Sequence, residues 1–596
     1  MEAATVKPVE ASTNSKTMAD LLPIAARTHG DVPALKHKVD GEWTAISYAE
    51  VGDAVSEITR GLIDLGIESG ERVAILSHTR PEWTLANFGI LSAGAASVSV
   101  YQTNSAEECH YVLDHSESRA VFVEDAEQLG KVREVQGELP HLEFIIVIEP
   151  SGDIGDAISL ADLRERGRGR DGTEFDARVA SVEPDDNCVF IYTSGTTGPP
   201  KGCILTHRNY RNVTTMSEAQ GILAPGDSAY LFLPLAHAFA LLVQFVTIDL
   251  GATLAYWEKD ATKIVANLQE VKPTYFPSVP RIFEKIYTLA TNAAPDKEQL
   301  AKAVAVGLKV RQMQADGQEV PAELQAGFDQ ADEALFKNVR ALFGGNIRQC
   351  VTGAAPIAQE ILEFFYACGV PVLEGYGMTE TSTVATVNSL EEFRFGSVGK
   401  PLPGQEIKIA ADGEILLRGP NIFKEYFKNP DATADTIDEG WLHTGDLGSL
   451  DEDGFLVITG RKKDIIITAG GKNITPANLE NGLKQTRWVS QAVVVGDRRP
   501  YLIALITLDQ EEAPAFAEQH GLAVADLPNS EQMRAEVQKV VDQVNSRVGP
   551  VEQIKRFKIL DHDLSQETGE LTPTLKVKRN VVNEKFAGEV DALYAG

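Results

Sequence analysis

The chain has 596 residues, more than one hydrophobic core supports, so at least two domains are expected. It is 43% hydrophobic and 24% charged, the ordinary composition of a soluble globular protein. The formal net charge of −31 argues against a general nucleic-acid binder, and any anionic ligand must meet a local positive patch. The five cysteines are scattered without a CxxC pair, so we expect reduced thiols in a cytoplasmic protein and no zinc site.

The N-terminal part of the chain alternates β-rich runs with helical stretches. Residues 1–16 contain no apolar run that could form a signal peptide, and we predict a flexible tail there. From residue 17 onward, continuous apolar runs such as RVAILS, GAASVSVY and CVFIY are separated by amphipathic stretches. This alternation predicts an α/β fold, in which parallel-rich sheets are covered by helices on both faces.

The most membrane-like run is AFALLVQFVTIDLGATLAYW, from Ala238 to Trp257. Because Gln244, Asp249 and Gly251 interrupt it, we predict a buried helix followed by a strand, and no transmembrane segment.

Composition shifts mark further units along the chain. From about 290 to 340 the sequence is rich in Ala, Gln, Glu, Lys and Asp, which predicts a helical insertion. From about 396 to 460, short apolar runs are split by turn signals, which predicts a small β-rich subdomain completing an N-terminal domain of residues 17–460. Residues 461–596 mix strand and helix patterns and are expected to form a small α+β C-terminal domain.

A glycine-rich stretch, YTSGTTGPPKG, directly follows the strand CVFIY. Its glycines and hydroxyl groups can bring donors close to an anion, and the lysine adds a mobile positive charge. Two prolines separate the last loop glycine from the lysine, so the lysine does not open a helix as it does in a Walker A loop. We predict a phosphate-binding loop formed by Thr193, Ser194, Gly195, Thr196, Thr197, Gly198 and Lys201.

Further motifs follow this loop in a fixed order: TGAAP (352–356), EGYGMTE (374–380), WLHTGDLG (441–448), GRKKDIIITAGGKN (460–473) and LTPTLKVKR (571–579). Together with the loop they resemble the adenylate-forming superfamily of acyl-CoA synthetases, nonribosomal-peptide adenylation domains and firefly luciferase. The resemblance spans nearly the whole chain. It implies that ATP activates a carboxylic acid as acyl-AMP, while the loop holds the departing pyrophosphate.

The resemblance implies a nucleotide site in EGYGMTE. Tyr376 would stack on adenine and Thr379 would reach a phosphate. Glu380, with Thr193 beside it, would hold Mg²⁺, a cation that prefers oxygen ligands. In TGAAP, the small residues Gly353, Ala354 and Ala355 would let a flat base or an acyl group approach the backbone, and Gly377 of EGYGMTE would be part of the nucleotide site.

The ribose and the α-phosphate would be held from the C-terminal half. Asp446 resembles the ribose anchor of the family, and Arg461 a second ribose contact. Lys576 resembles the catalytic lysine that, together with Mg²⁺, offsets charge at the α-phosphate. The family more often has glycine where Leu575 stands, and the long-chain acyl-CoA synthetases share this departure.

The resemblance also implies a mobile C-terminal domain. Lys463 matches the hinge about which family members rotate this domain between the two half-reactions. Gly470 would then lie beside the tunnel for the pantetheine arm of CoA, where a side chain would obstruct it.

The segment FLPLAHAFA resembles the pocket wall of fatty-acyl members, with His237 near the carboxylate and ATP. Similarity to bacterial-type long-chain fatty-acid–CoA ligases implies a long-chain fatty acid, ATP and CoA as ligands. Because free fatty acids partition into bilayers, we expect transient contact with a membrane surface. No nucleic-acid partner is expected.

Three alternatives are distinguishable. A peptide-synthetase adenylation module would normally feed an attached carrier domain, for which little chain follows Lys576. A fatty acyl-AMP ligase would stop at the adenylate or pass it to a carrier protein, which an assay with free CoA distinguishes. An inactive lipid-binding or scaffolding homologue would tend to lose charged catalytic residues, yet all of these are present: Glu380, Asp446, Arg461 and Lys576.

Overall fold

The computed structural model describes residues 6–193, 199–292, 296–470, 472–572 and 576–595. Before the phosphate loop, helices and strands alternate as α1 (Met18–His29), β1 (Pro33–Val39), β2 (Glu42–Ser47), α2 (Tyr48–Asp64), β3 (Arg72–Leu76), α3 (Pro81–Ser92), β4 (Ala96–Val100), α4 (Ala106–His115), β5 (Ala120–Val123), α5 (Ala126–Val135), β6 (Phe144–Val147), β7 (Ile158–Ser159), α6 (Leu160–Arg168), α7 (Gly172–Ser181) and β8 (Asn187–Thr193).

The middle of the chain continues this alternation and then becomes helical. Its elements are β9 (Lys201–Thr206), α8 (His207–Ala219), β10 (Ser228–Leu231), α9 (Ala238–Asp249), β11 (Thr253–Tyr256), α10 (Ile264–Val271), β12 (Tyr275–Ser278), α11 (Pro280–Asn292), α12 (Lys297–Ala315), α13 (Ala322–Ala331), α14 (Lys337–Leu342), β13 (Gln349–Thr352), α15 (Gln359–Cys368), β14 (Val372–Tyr376) and β15 (Thr386–Val387). A π-helical turn, Asp332–Phe336, joins α13 to α14.

The last third is richer in short strands. Its elements are β16 (Lys400–Pro401), β17 (Glu406–Ile409), β18 (Glu414–Arg418), β19 (Glu425–Tyr426), α16 (Pro430–Thr436), β20 (Ile437–Asp438), β21 (Trp441–Leu450), β22 (Leu456–Arg461), β23 (Ile466–Ile467), β24 (Asn473–Ile474), α17 (Pro476–Leu483), β25 (Val489–Val495), β26 (Leu502–Leu508), α18 (Ala513–His520), α19 (Glu531–Asn545), β27 (Ile554–Ile559), α20 (Arg579–Lys585) and α21 (Ala587–Ala595).

Two parallel-rich sheets dominate the molecule and confirm the predicted α/β class. One has nine strands in the order β16-β15-β14-β13-β12-β10-β11-β1-β2, and the other has eight in the order β19-β9-β8-β4-β3-β5-β6-β7. Their central neighbours, such as β12 with β13 and β3 with β4, run parallel. Antiparallel pairs lie towards the edges, as in β1 with β2 and β8 with β9.

Helices cover the sheets in layers, as continuous apolar strands require. Buried side chains of α1, α2, α3, α8 and α9 form one hydrophobic cluster with residues of both sheets. Helices α10 to α15 contribute to a second cluster on the other face of the nine-stranded sheet. Helices α4 and α5 cover the other face of the eight-stranded sheet.

Helix α9 is the predicted buried helix, and β11 is the strand that follows it. All of its residues except Phe239 are buried, as expected for a helix that is apolar on every side. Its polar residues have partners: Gln244 accepts a hydrogen bond from Thr84 at 2.6 Å, and Arg211 pairs with Asp249. Among the described residues, no helix combines the length and apolar character needed to cross a bilayer.

Residues 12–15, within the predicted flexible tail, are hydrogen-bonded to the body of the protein. Ser12 donates a hydrogen bond to Asp249 at 2.9 Å, and the main-chain N–H of Thr13 donates to the same carboxylate at 3.1 Å. Arg211 donates to the Ser15 hydroxyl at 2.8 Å. The buried carboxylate at the end of α9 needs donors, and this segment supplies them.

The described part of the C-terminal third contains three smaller sheets, one of which is the antiparallel pair β23 and β24. Strands β17, β18, β20, β21 and β22 form an antiparallel sheet, in the part of the chain where a β-rich subdomain is predicted. Strands β25, β26 and β27 form a mixed sheet, with α17, α18 and α19 packed on one face. Helices α20 and α21 pack on its other face.

Candidate active site

Several predicted site residues stand at the carboxyl ends of strands. Thr193 ends β8, Gly353 follows β13, and Tyr376 ends β14. Ligands of open α/β sheets bind beyond the carboxyl ends of the strands, so Gly353 and Tyr376 lie at the ligand-binding edge of the nine-stranded sheet, and Thr193 lies at the corresponding end of β8 in the eight-stranded sheet.

The ends of the phosphate loop are held together by a pair of antiparallel strands. Thr193 and Lys201 are register partners, and the Thr193 hydroxyl donates to the Lys201 carbonyl at 3.5 Å. The Lys201 ammonium lies 4.7 Å from the centroid of the Tyr426 ring. The loop residues predicted to cradle phosphate lie outside the described residues, and these are Ser194, Gly195, Thr196, Thr197 and Gly198.

Glu380 is buried next to this lysine and is held from two sides. The Tyr426 hydroxyl donates to its Oε1 at 2.6 Å, and the Phe423 N–H donates to its carbonyl at 2.8 Å. Within the described part of the chain, its Oε2 accepts no hydrogen bond from protein. One free carboxylate oxygen suits Mg²⁺, which proteins commonly bind through one or two carboxylates plus substrate phosphates and water.

Tyr376, Asp446 and Arg461 form one connected group. The Tyr376 hydroxyl donates to Asp446 Oδ2 at 2.8 Å, and Arg461 Nε lies 2.7 Å from Asp446 Oδ1. Asp446 and Arg461 are register partners across β21 and β22, so the sheet sets this ion pair. A carboxylate offers about four lone-pair positions, so Asp446 can still accept from sugar hydroxyls.

Electrostatics keep this group in defined protonation states. Burial, followed by the Asp446 charge, raises the pKa of Tyr376 well above its usual value, so the phenol remains a donor. Burial opposes the charge of Arg461, but Asp446 outweighs that effect and raises the pKa of the guanidinium.

Lys576 reaches this cleft from the C-terminal domain. Lys576 as a whole residue is exposed. Its ammonium is nevertheless desolvated by the protein atoms around it, and this lowers the pKa of the lysine. Arg461 lowers that pKa further, whereas Asp446 and Glu380 act in the opposite direction. The catalytic lysine, the ribose group and the metal candidate predicted from distant motifs are therefore close enough to interact electrostatically.

His237 caps the N-terminus of α9 at the same cleft. Its Nδ1 accepts a hydrogen bond from the Phe239 N–H at 3.2 Å, which places the proton of the neutral ring on Nε2. Burial, and secondarily Lys576, lowers the pKa of His237 to about 3. The ring is therefore neutral at physiological pH, and its Nε2–H can donate to a carboxylate.

Different features of the local backbone account for the small residues Gly353, Ala354 and Gly377. A Cβ at Gly377 would lie 1.9 Å from the Thr383 carbonyl oxygen, so glycine is required for the chain to pack against itself. A Cβ at Gly353 would lie 3.1 Å from the Gly375 carbonyl oxygen. Ala354 has φ 69°, a left-handed conformation, and Thr379 is buried in a 3₁₀ turn.

The predicted hinge and tunnel residues lie just after β22. Lys463 is exposed in the 3₁₀ turn Lys462–Asp464. Gly470 is also exposed, and the nearest atom to a Cβ there would be Thr468 Oγ1 at 3.9 Å. Lys463 lies close enough to the Tyr376 group for burial, and then Arg461, to lower its pKa. The roles predicted for Lys463 and Gly470 concern a rotated domain.

Sequence reasoning missed two residues of this region. Tyr426 links Glu380 to Lys201, but it stands in a two-residue strand, and no spacing rule selects it. Arg579 ends the motif LTPTLKVKR and binds Glu480, which lies far earlier in the chain. A charged residue three positions from a predicted catalytic lysine was the available signal.

Residues 22–427 match the AMP-binding enzyme family, and residues 463–596 match the AMP-binding enzyme C-terminal domain. The chain is 40% identical to the long-chain-fatty-acid–CoA ligase FadD15 of Mycobacterium tuberculosis over 95% of both chains. It is 32% identical to the human long-chain-fatty-acid–CoA ligase ACSBG1, covering 95% of this chain and 83% of that one.

Solved structures share the fold. The anthranilate CoA ligase AuaEII, in complex with anthranoyl-AMP, matches with a TM-score of 0.74 and 23% identity, covering 98% of this chain and 100% of that chain. The adenylation domain of a Mycobacterium chelonae carboxylate reductase matches with a TM-score of 0.76 and 21% identity, covering 99% and 94%. The family match over most of the chain and the relative of 40% identity show that the chain belongs to the AMP-binding enzyme family.

Proposed function

We propose that this enzyme joins a long-chain fatty acid to CoA through acyl-AMP, converting ATP to AMP and pyrophosphate. The observation that carries the proposal is the full-length identity of 40% to a long-chain-fatty-acid–CoA ligase. The cleft supports it, because its charged groups match the needs of adenylation.

In the first half-reaction, a carboxylate oxygen of the fatty acid attacks the α-phosphorus of ATP. The new bond is carboxylate oxygen to phosphorus, and the bond from that phosphorus to the bridging oxygen of pyrophosphate breaks. The two anions repel each other, so Lys576 would offset charge at the α-phosphate and Lys201 at the departing pyrophosphate. The Nε2–H of His237 would orient the carboxylate.

In the second half-reaction, the sulfur of CoA attacks the acyl carbonyl carbon of acyl-AMP. A carbon–sulfur bond forms, the carbon–oxygen bond to AMP breaks, and the thiol proton passes to solvent. AMP departs with the bonding electron pair on its phosphate oxygen. The thiol must reach the carbonyl beside that phosphate, so Lys576 would move away at this stage.

The nucleotide would be held by the connected group around Asp446. We assign the ribose hydroxyls to the remaining lone pairs of Asp446, and adenine to the face of Tyr376. Thr379 and the loop that starts at Thr193 would contact the phosphates.

Magnesium fits the carboxylate oxygen that Glu380 leaves free, and by resemblance Thr193 would complete the protein side of the site. Bound Mg²⁺ supplies positive charge that polarises phosphoryl oxygens. A neighbour of shared fold, the o-succinylbenzoate CoA synthetase of Bacillus subtilis, was solved with ATP and magnesium ion. No cluster of three or more acidic, His or Cys side chains suited to a metal occurs in the described ranges.

The acyl chain would extend from His237 along α9. Phe239 is the one residue of this helix that is only partly buried, so we place the wall of the acyl channel beside it. Each methylene withdrawn from water contributes about 0.8 kcal/mol, which favours long chains in a dry channel. We place the enzyme in the cytoplasm, with transient contact at a membrane surface where such acids reside.

Residues 461–596 are proposed to act as a mobile lid on residues 17–460. Rotation about Lys463 would withdraw Lys576 and bring Gly470 towards the path of the pantetheine arm. The exposed turn after β22 leaves room for the backbone change that such a rotation needs.

The function is tested by ATP–pyrophosphate exchange over saturated acids of increasing length, with thioester formation from free CoA measured in parallel. We expect exchange and thioester formation to rise together towards long chains. Exchange without any thioester would instead identify a fatty acyl-AMP ligase that delivers to a carrier protein. Preference for short or aromatic acids would contradict the long-chain assignment.

A further inference from the structure

Lys576 is carried on a short hairpin near the C-terminus. Leu571 and Val577 pair as an isolated antiparallel bridge. The Thr572 N–H donates to the Lys576 carbonyl at 2.8 Å, and the Lys576 N–H donates to the Thr572 hydroxyl at 3.0 Å. These contacts are internal to the hairpin. The position of Lys576 relative to the cleft therefore also depends on contacts between the hairpin and the rest of the C-terminal domain.

Arg579 leaves this hairpin three residues after Lys576 and begins α20. Its guanidinium donates to Glu480 Oε2 on α17 and to the Val494 carbonyl on β25, the latter at 3.5 Å. The other oxygen of Glu480 accepts from the Val494 N–H at 2.7 Å. Arginine, glutamate and the main chain of one strand residue therefore form a closed set of contacts.

The pair is shielded from water. The side chains of Arg579 and Glu480 are 21% and 10% exposed. Burial opposes the charge on Arg579, but the neighbouring Glu480 carboxylate outweighs it and raises the pKa of the guanidinium. Charge-assisted contacts of a guanidinium with a carboxylate and a carbonyl constrain its geometry, so the exit of the hairpin is fixed in direction.

Arg579 also lies next to the predicted hinge. Its Nε is 3.9 Å from Asp464 Oδ2, and Asp464 ends the turn that contains Lys463. The contacts to Glu480 and Val494 lie within the C-terminal domain, so they can persist when that domain rotates. The Asp464 contact joins this set to the hinge turn.

We propose that Arg579 and Glu480 are positioning residues for adenylation, which hold the hairpin so that the Lys576 ammonium points into the cleft. Three residues of chain span at most about 10 Å, so a displaced Arg579 moves Lys576 directly. The inference rests on the proposed role of Lys576 in the first half-reaction. Neither positioning residue contacts the reacting atoms.

The test compares Arg579→Gln, Glu480→Gln and Lys576→Ala with the double variant Arg579→Gln/Lys576→Ala. Two rates are measured: ATP–pyrophosphate exchange with hexadecanoic acid, and thioester formation from supplied hexadecanoyl-AMP and CoA. Arg556→Gln is the matched control, because Arg556 is a half-buried arginine of the same domain that donates to the Leu593 carbonyl at 2.9 Å.

We expect Lys576→Ala to slow exchange by about 10²–10³-fold, the loss typical of one preorganised charge-stabilising group. Arg579→Gln and Glu480→Gln should each slow exchange by about 10–10²-fold, as small misplacements of a catalytic group do. Thioester formation from supplied acyl-AMP should stay near the wild-type rate in every variant. Arg579→Gln should add nothing in the Lys576→Ala background, because it acts only through that lysine.

If Arg579 only stabilised the fold, the rates of the two half-reactions would change in a different way. If Arg579→Gln slows both half-reactions equally, or adds its full loss to Lys576→Ala, the positioning assignment is overturned. If Arg579→Gln does not fold, the positioning role is tested with Glu480→Gln and Arg579→Lys instead. Arg579→Lys should then exchange pyrophosphate more slowly than the wild type but faster than Glu480→Gln. If Lys576→Ala itself leaves exchange unchanged, the proposed role of that lysine fails and the inference fails with it.

Discussion

At the scale of single residues, the site depends on carboxylates that serve two partners. Glu380 uses one oxygen for Tyr426 and keeps the other free, while Asp446 is shared between Tyr376 and Arg461. Each carboxylate is thereby oriented before any ligand arrives. Such preorganisation avoids reorganisation during the reaction.

Glu380→Gln should raise the Mg²⁺ concentration needed for half-maximal pyrophosphate exchange. An amide keeps the size of the side chain but loses the charge that a hard cation prefers. The measurement is a Mg²⁺ titration of the exchange rate. Glu406→Gln is the control, because Glu406 forms an exposed pair with Arg418 on β17 and β18. An unchanged titration in a folded Glu380→Gln variant would remove Glu380 from the metal site.

At the scale of elements, glycines set how closely helices α2 and α6 approach. A Cβ at Gly167 on α6 would lie 1.8 Å from the Glu57 carbonyl oxygen of α2, and one at Gly61 on α2 would lie 2.3 Å from the Leu163 carbonyl oxygen of α6. The two helices therefore touch through their backbones, and neither position accepts a side chain without displacement.

Gly167→Ala should destabilise the N-terminal domain by about 1–3 kcal/mol, the usual cost of overpacking. Gly130→Ala on α5 is the matched control, because a Cβ there meets no atom within 4 Å. That control should be neutral or stabilise by about 0.4–1 kcal/mol, since alanine lowers the entropy of the unfolded chain. Denaturant unfolding measures both. Equal stabilities for the two variants would contradict the close helix approach.

Helices α1 and α8 are joined by a buried histidine that affects acid stability. His207 Nδ1 accepts from the Met18 N–H at 3.1 Å, and burial lowers the pKa of His207 from 6.5 to about 3. Below pH 6.5 the unfolded chain binds a proton that the folded protein does not. Stability should therefore fall as the pH drops from about 6.5 towards 3.

His207→Asn should make this acid-dependent loss of stability shallower, even if it lowers stability at neutral pH. The measurement is the free energy of unfolding between pH 4 and pH 8. The exposed His141→Asn should leave the slope as in the wild type. A slope unchanged by His207→Asn would show that this histidine does not titrate on unfolding.

At the scale of the whole molecule, two ion pairs join helix α11 to the C-terminal domain. Arg281 and Lys285 of α11 pair with Asp509 and Glu511, which lie between β26 and α18. Because Lys576 lies in the cleft in the same arrangement, we expect these pairs to favour the orientation proposed for adenylation. They should break in the proposed rotation of the C-terminal domain.

The double variant Arg281→Gln/Lys285→Gln should therefore slow pyrophosphate exchange, by up to about tenfold for two partly exposed pairs. Thioester formation from supplied acyl-AMP should be unchanged or faster. Raising the salt concentration should bring the wild type closer to the variant. Lys302→Gln, which breaks only a local pair with Glu298 on α12, is the control. An equal fall in both half-reactions would contradict a role in orienting the domains.

The sequence by itself determined the α/β class, the order of the chemical motifs and the buried character of α9. Strand and helix patterns depend on neighbouring residues, so they can be predicted from the sequence. Most residues of the predicted nucleotide site also lie within short segments such as EGYGMTE. Only the tertiary structure decided that Tyr426 holds Glu380, that Asp446 serves both Tyr376 and Arg461, and that residues 12–15 are anchored at Asp249. Their partners lie far apart along the chain, and packing brings them together because a buried carboxylate must find donors wherever the fold supplies them.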